Sequence, residues 1–303
     1  NLKGPYLGQV QPDSIPIVFA SGFISTGMNE VNSVFSTNGN EFYFSVFNSS
    51  MSSVFRTVMN SKGWSSPTLV PFAGIYGDID ISISPDGKNL FYCSKRPISP
   101  HDSSKADHDI WMCKKVNDSW SEPVNLGSKV NSFKEDYYPT TARNGNLYFS
   151  SQRVSPGTNN IFVSRFTRGE YMQAEQISSE VNIGTWNFDP YIDPYERFII
   201  FASNKEGGFG QSDLYISFRN VDGSWSMAKN MGNRINSSAS EFSPMITPDG
   251  KYLFFTSSRL KTEKQSKPLT YREFEQTMTK HQNGSTDIYW IDAKVIEKLR
   301  PGE

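Results

Sequence analysis

Carboxylates recur in this sequence at one fixed distance ahead of a turn. Aligned on that turn, Glu30, Asp78, Asp136, Asn187 and Glu241 share an equivalent position, and Asp80 and Asp189 stand two residues further on. Beyond the turn, at the end of the next apolar stretch, stand Arg96, Arg153, Lys205 and Arg259; the first unit has Ser49 there instead. Like charges crowded together raise one another's pKa unless a cation, hydrogen-bond donors or a ligand offsets them. Three kinds of chemistry fit. Each unit can brace its own carboxylate with its own Arg or Lys, an ion pair with a purely structural role. A carboxylic acid and a carboxylate base about 6.5–9.5 Å apart can hydrolyse a glycoside with inversion. Hard oxygen ligands can also hold Ca²⁺, with Asp78, Asp80 and Asp136 as the set.

Other residues break the repetition. Trp186, in Gly184-Thr185-Trp186-Asn187-Phe188-Asp189-Pro190, has no aromatic equivalent in the other units, and Tyr76, Tyr137, Tyr138 and Phe188 fall at nearby aligned positions. Aromatic faces beside carboxylates and arginines suit a sugar, whose C–H faces stack while its hydroxyls bond to charged groups. Trp186, Tyr137, Asp189, Arg96, Arg153 and Arg259 form that candidate ligand set; the competing reading is that the aromatics only fill a channel. His101 and His108 lie near Asp102 and Asp107 but without a metal-ligand spacing. Asp109, Asp213 and Asp287 each open an apolar stretch and read as caps, and Trp64, Trp120 and Trp225 repeat regularly enough to be packing. No nucleophile elbow, HExxH or phosphate loop occurs.

The elements that must position these residues come from self-similarity. Ser82 to Arg96 reads SISPDGKNLFYCSKR and Met245 to Arg259 reads MITPDGKYLFFTSSR; related stretches run over 34–48, 140–153 and 191–205. Each is a strand, a tight turn and a second strand, with Asp-Gly or Asn-Gly as the hairpin signal. A third strand follows, opening at Ser53, Asp109, Asn160, Asp213 and Asp287, and then a fourth opening with Trp64, Trp120, Tyr171 or Trp225. Four strands repeated about every fifty residues make a propeller blade. The expected fold is therefore all-β: a five-bladed β-propeller over 1–303, one domain, with units near 30–74, 75–132, 133–183, 184–237 and 238–300. The fifth unit lacks a fourth strand, and 13–29 resembles one, so the N-terminal strand should complete the last blade and remove an open edge.

The turns between first and second strands share one face with the third-to-fourth turns, and these are short. The opposite face carries the longer loops, among them 97–107, Gly207 to Ser212 and the insert from Leu260 to Thr286. In that insert, Thr270 and Glu273 after Pro268 read as a capping box, so a short helix should lie over this face. Long loops on a rigid scaffold are where function concentrates.

The motif Ser-Pro-Asp-Gly-Lys, followed by a strand ending Ser-x-Arg and then by Asp-Ile-Tyr, resembles the WD-like repeats of the TolB type. It is plain in the second and fifth units, weaker in the third and fourth, where Asp193-Pro194-Tyr195-Glu196 replaces the Asp-Gly turn, and degenerate in the first. The resemblance covers nearly the whole chain. It implies an exported protein of the bacterial envelope, periplasmic or beyond, and little about activity.

Composition agrees and excludes other classes. Aromatic residues at 14%, with 22 Gly and 17 Pro, suit an all-β chain rich in turns. A net charge of −1 without a Lys/Arg stripe argues against nucleic acid. No apolar run long enough to span a membrane occurs, and Asn1 is not preceded by a signal sequence, as in a chain from which one has been removed. Cys93 and Cys113 fall on neighbouring strands, so a disulfide between them stays open. The reading is a non-catalytic, monomeric binding propeller without a cofactor, recognising a glycan, peptide or envelope protein on the loop-rich face. The alternative is a glycoside hydrolase with Glu30 or Glu241 as acid and Asp78 or Asp136 as base; Glu30, with no Arg in its unit, is the least braced.

Overall fold

A computed structural model describes residues 2–99, 101–261 and 268–300. Five antiparallel sheets form a ring, each with its innermost strand first in sequence: Asn29–Phe35, Ile79–Ile83, Asp136–Thr141, Asn187–Ile192 and Glu241–Ile246. The blades pack face to face, and the hydrophobic cores lie between them. Alternate residues of each strand therefore point to two different neighbours, and every position is buried in the second and third strands of the fourth blade and the second strand of the fifth. Near-continuous apolar runs such as Phe198–Ser203 follow from that double burial.

The ring closes as the sequence requires. Ile17–Val18 pairs antiparallel with Asp287–Asp292, placing Ile17 opposite Trp290 and Val18 opposite Tyr289. Phe19 anchors the seam, with its ring 4.9 Å from Phe254, 5.1 Å from Phe42 and 5.3 Å from Trp290. The N-terminal segment also reaches the short-turn face, where the Tyr6 hydroxyl donates to Asp249 (2.5 Å).

The fourth strands differ from the expectation. Trp64, Trp120 and Tyr171 do not open them; each sits in a short hairpin with the end of the third strand, and Trp225 bridges Arg219 in the same way. The outer strands come later and span two residues each: Thr68–Leu69, Val124–Asn125, Glu175–Gln176 and Lys229–Asn230. In the three blades with a tryptophan at this position, a serine follows it. The side chains of Ser65, Ser121 and Ser226 accept from the backbone N–H of Val58, Lys114 and Phe218 (3.0–3.1 Å), so a side chain takes the place of one ladder bond and the strand breaks. Trp64 and Trp225 are buried in interblade packing, as expected, and Trp120 is half-buried with Lys115 over its ring. Cys93 and Cys113 are free and buried; register places Ile110 opposite Cys93 and Leu90 opposite Cys113.

The Leu260–Thr286 insert, of which residues 262–267 lie outside the description, carries helix α1 (Tyr271–Met278) with its capping box at Thr270 and Glu273. Its C-terminal end packs on the loop-rich face. A Cβ at Gly27 would lie 2.6 Å from the Thr279 carbonyl carbon, and the Asn283 side chain donates to the Gly27 and Met278 carbonyls.

Candidate functional site

Strand direction puts every aligned carboxylate at the start of an innermost strand, around the channel mouth on the loop-rich face. In the third and fifth blades the brace is complete. Arg153 Nη2 meets Asp136 Oδ1 at 2.6 Å and also donates to the Val130 carbonyl. Arg259 Nη2 meets Glu241 Oε1 at 3.1 Å and donates to the Ile235 carbonyl. One guanidinium thus ties the carboxylate to the loop before it and also stacks on aromatic rings, Phe162 at 4.8 Å and Tyr289 at 4.7 Å. Burial pushes Asp136 above the ordinary carboxylate range, with Arg153 pulling the other way.

The other three blades depart from this arrangement. In the second, Arg96 donates to the Phe72 carbonyl (2.7 Å) and lies 5.1 Å from the Tyr76 ring, while Asp78 accepts from the Gly74 N–H and is raised by burial. In the fourth, Asn187 replaces the acid and binds both the N–H and the C=O of Gly184, leaving Lys205 exposed. In the first, Glu30 accepts from the Thr26 hydroxyl, its Oε2 is buried without a partner, and burial raises its pKa. Asp287 lies close enough to feel it: burial first, then the charge of Glu30, raise Asp287 to about 7. The equivalent Asp109 and Asp213 are fully engaged, Asp109 by Lys105 and Asn125, Asp213 by two backbone N–H groups and Asn230.

Inside the channel the structure adds a feature. Asn32, Asp80, Tyr138, Asp189 and Ser243 occupy one equivalent position, each with φ between +51° and +57°, at a β-bulge where the register of the innermost strand shifts. The bulge turns these side chains into the channel. Asp189 accepts from the Ser243 N–H and hydroxyl (3.1 and 2.8 Å), and Tyr138 crosses from the third blade to donate to the Pro244 carbonyl (2.9 Å). Burial raises Asp189 to about 7; burial and then the charge of Asp189 raise Asp80. Tyr138 is buried and links the third blade to the fifth across the channel.

The remaining candidates are placed as follows. Trp186 is half-buried on the loop-rich face, its backbone tied to Asn204, and Tyr137 is half-buried beside it in sequence alignment. Arg96, Arg153 and Arg259 are committed to their own blades. His101 is exposed, while His108 uses both ring nitrogens, on Glu135 (2.7 Å) and the Gly77 carbonyl (3.1 Å), to tie loops together. Among the described residues no three His, Cys, Asp or Glu side chains converge as metal ligands, and Asp78, Asp80 and Asp136 are held by separate partners.

Sequence reasoning missed two features. Asn131, Asn182 and Asn236 each clamp a third strand, binding the N–H and C=O of Ile110, Ile161 and Leu214. The signal was present as Val-Asn or Ile-Asn before each carboxylate loop. The second is a cavity of about 450 Å³ at the short-turn mouth, opposite the long loops.

These features define a self-closing, five-bladed β-propeller with braced blades and a channel bridged by Tyr138. Its fold is that of TolB-like propellers. A protein from Agrobacterium tumefaciens provisionally designated TolB superimposes with a TM-score of 0.51 at 16% identity, covering 88% of this chain and 90% of the other. An alpha-L-arabinofuranosidase from Lactobacillus brevis gives 0.52 at 12% identity, covering 88% and 91%. TolB from Acinetobacter baumannii gives 0.47 at 10% identity, with 88% of this chain matched to 57% of that one. No family model matches the chain, and no curated protein matches it. Identities this low concern the fold, which hosts both binding proteins and enzymes.

Proposed function

We propose that this propeller is a non-catalytic binding module of the bacterial envelope that docks a peptide or protein partner on its loop-rich face. The observation carrying this reading is a ring of exposed apolar side chains. Each loop between second and third strands presents one: Met51, Ile98, Val154, Phe209 and, on the α1 insert, Phe274. Loops leading into three innermost strands add Met28, Ile75 and Phe133, the last 97% exposed. Large apolar residues on this face, around a mouth where arginines brace two of the four carboxylates, suit a macromolecular partner better than a sugar. No helix among the described residues is long and apolar enough to cross a membrane, and the envelope location rests on the repeat motif. The test is a selection of peptides on the wild-type protein, followed by titration of Phe133→Ser/Phe209→Ser. Loss of binding in the variant supports the reading. Unchanged binding, or a melting-temperature rise only with oligosaccharides and lost in Trp186→Ala, overturns it.

Glu30 supports a second reading, glycoside hydrolysis. A general acid needs a carboxyl held protonated near neutrality, and Glu30 is buried, without a cation and raised. Assays with aryl glycosides, comparing wild type and Glu30→Gln, decide it; turnover abolished by that change favours the enzyme.

A further inference from the structure

We infer that the short-turn mouth holds a second binding site, for a small organic anion with an apolar body. The cavity there, about 450 Å³, is within the size range of small-molecule sites. Its wall is apolar where the innermost strands end, with Ile83, Tyr191, Phe198 and Met245, and Ile296 of the C-terminal 3₁₀ segment closes one side. Ser82 and Thr141 back this wall, with their hydroxyl oxygens closed to solvent.

Charge decides the class of ligand. Asp193 is bound bidentately by Arg197 (2.6 and 2.9 Å), and Asp249 by Tyr6, Thr247 and Lys251. Both lining carboxylates of the strand turns are therefore neutralised. Arg143 and Arg300, also at the cavity, have no ion-pair partner among the described residues, and exposed Glu297 is the opposing charge. The Arg143 backbone N–H donates to the Pro194 carbonyl (2.8 Å), and its guanidinium lies 5.0 Å from the ring of Tyr195, a residue 63% exposed. A carboxylate on Arg143 and a ring or short chain on the apolar wall complete this arrangement. The cavity shares no lining residue with the apolar side chains of the partner surface, so the two sites can be tested separately.

The experiment is calorimetric titration with phenylacetate, phenylacetamide and inorganic phosphate. Phenylacetate should bind with Kd of about 1 mM or tighter, and Arg143→Gln, an exposed change that leaves folding intact, should weaken it about tenfold. Met245→Trp, which fills the cavity, should abolish binding in a protein whose circular dichroism melt stays cooperative; Ile83→Phe, a smaller filling change in the same wall, serves if it does not. Phe133→Ser/Phe209→Ser should leave the affinity unchanged. No binding of phenylacetate, equal binding of phenylacetamide or phosphate, or indifference to Arg143→Gln would each overturn the proposal, and none of them touches the partner-binding reading.

Discussion

The third and fifth blades and the first blade solve the same problem differently. All three start the innermost strand with a buried carboxylate. In the third and fifth, an arginine two residues past the carboxylate's partner on the second strand neutralises it and ties it to a loop carbonyl; in the first, Glu30 pairs with Val46, so the register puts Asn48 in place of the arginine, rather than Ser49 as the sequence suggested, and Glu30 is left with a hydroxyl and one empty oxygen. A repeat element complete in two units and altered in three separates structural necessity from local freedom. The braced carboxylates are part of the scaffold. Glu30, with Asp287 beside it at the closing seam, is where the scaffold tolerates a strained proton equilibrium.

The largest expected effect comes from breaking a complete brace. Arg153→Met or Arg259→Met leaves a buried carboxylate uncompensated and should cost about 3–5 kcal/mol in urea unfolding, whereas Glu30→Gln should cost nothing or stabilise. A loss in Glu30→Gln as large as in Arg259→Met would erase the distinction. Next is repair of the first blade: Asn48→Arg should bring the Glu30 carboxyl down, read by carboxyl ¹³C chemical shifts, with a net gain below about 1–2 kcal/mol at pH 7 because the Asn48 side chain gives up its bonds from the Ser50 and Met51 N–H groups.

The pH dependence is smaller per unit but has a definite sign. Asp287 is raised to about 7, so the folded state keeps a proton that the unfolded chain has released. Its contribution is fully present below the unfolded value near 4 and is lost as pH rises through about 7, at up to about 1.4 kcal/mol per pH unit for one proton. Stability should rise as pH falls from 8 to 5.5, and Asp287→Asn should flatten part of that slope. Asp189, raised in the same direction, supplies another part. An unchanged slope in Asp287→Asn would place the proton elsewhere. The smallest effect belongs to Lys205→Met, which removes an exposed cation that has no acid at the start of its own innermost strand; it should change stability by no more than about 0.5 kcal/mol in thermal unfolding.

The sequence alone determined the ring. Asp-Gly and Asn-Gly turns, apolar strands and a fourth strand missing at one end and present at the other prescribe five blades and their closure, because hairpin chemistry and edge pairing are local or complementary. The pairing of carboxylate with arginine was also legible, since both recur at fixed offsets. Other features lay beyond local pattern. Trp64 reads as the start of an outer strand until Ser65 is seen bonded to Val58. The bulge that gives Asn32, Asp80, Tyr138, Asp189 and Ser243 one backbone conformation joins five dissimilar residue types, so nothing in their chemistry announces it. That Tyr138 reaches Pro244, that Asp80 and Asp189 share one channel, and that Arg143 and Arg300 flank one cavity are decided by closing the ring. Closure alone brings residues a hundred positions apart within a hydrogen bond, and burial there sets their charge.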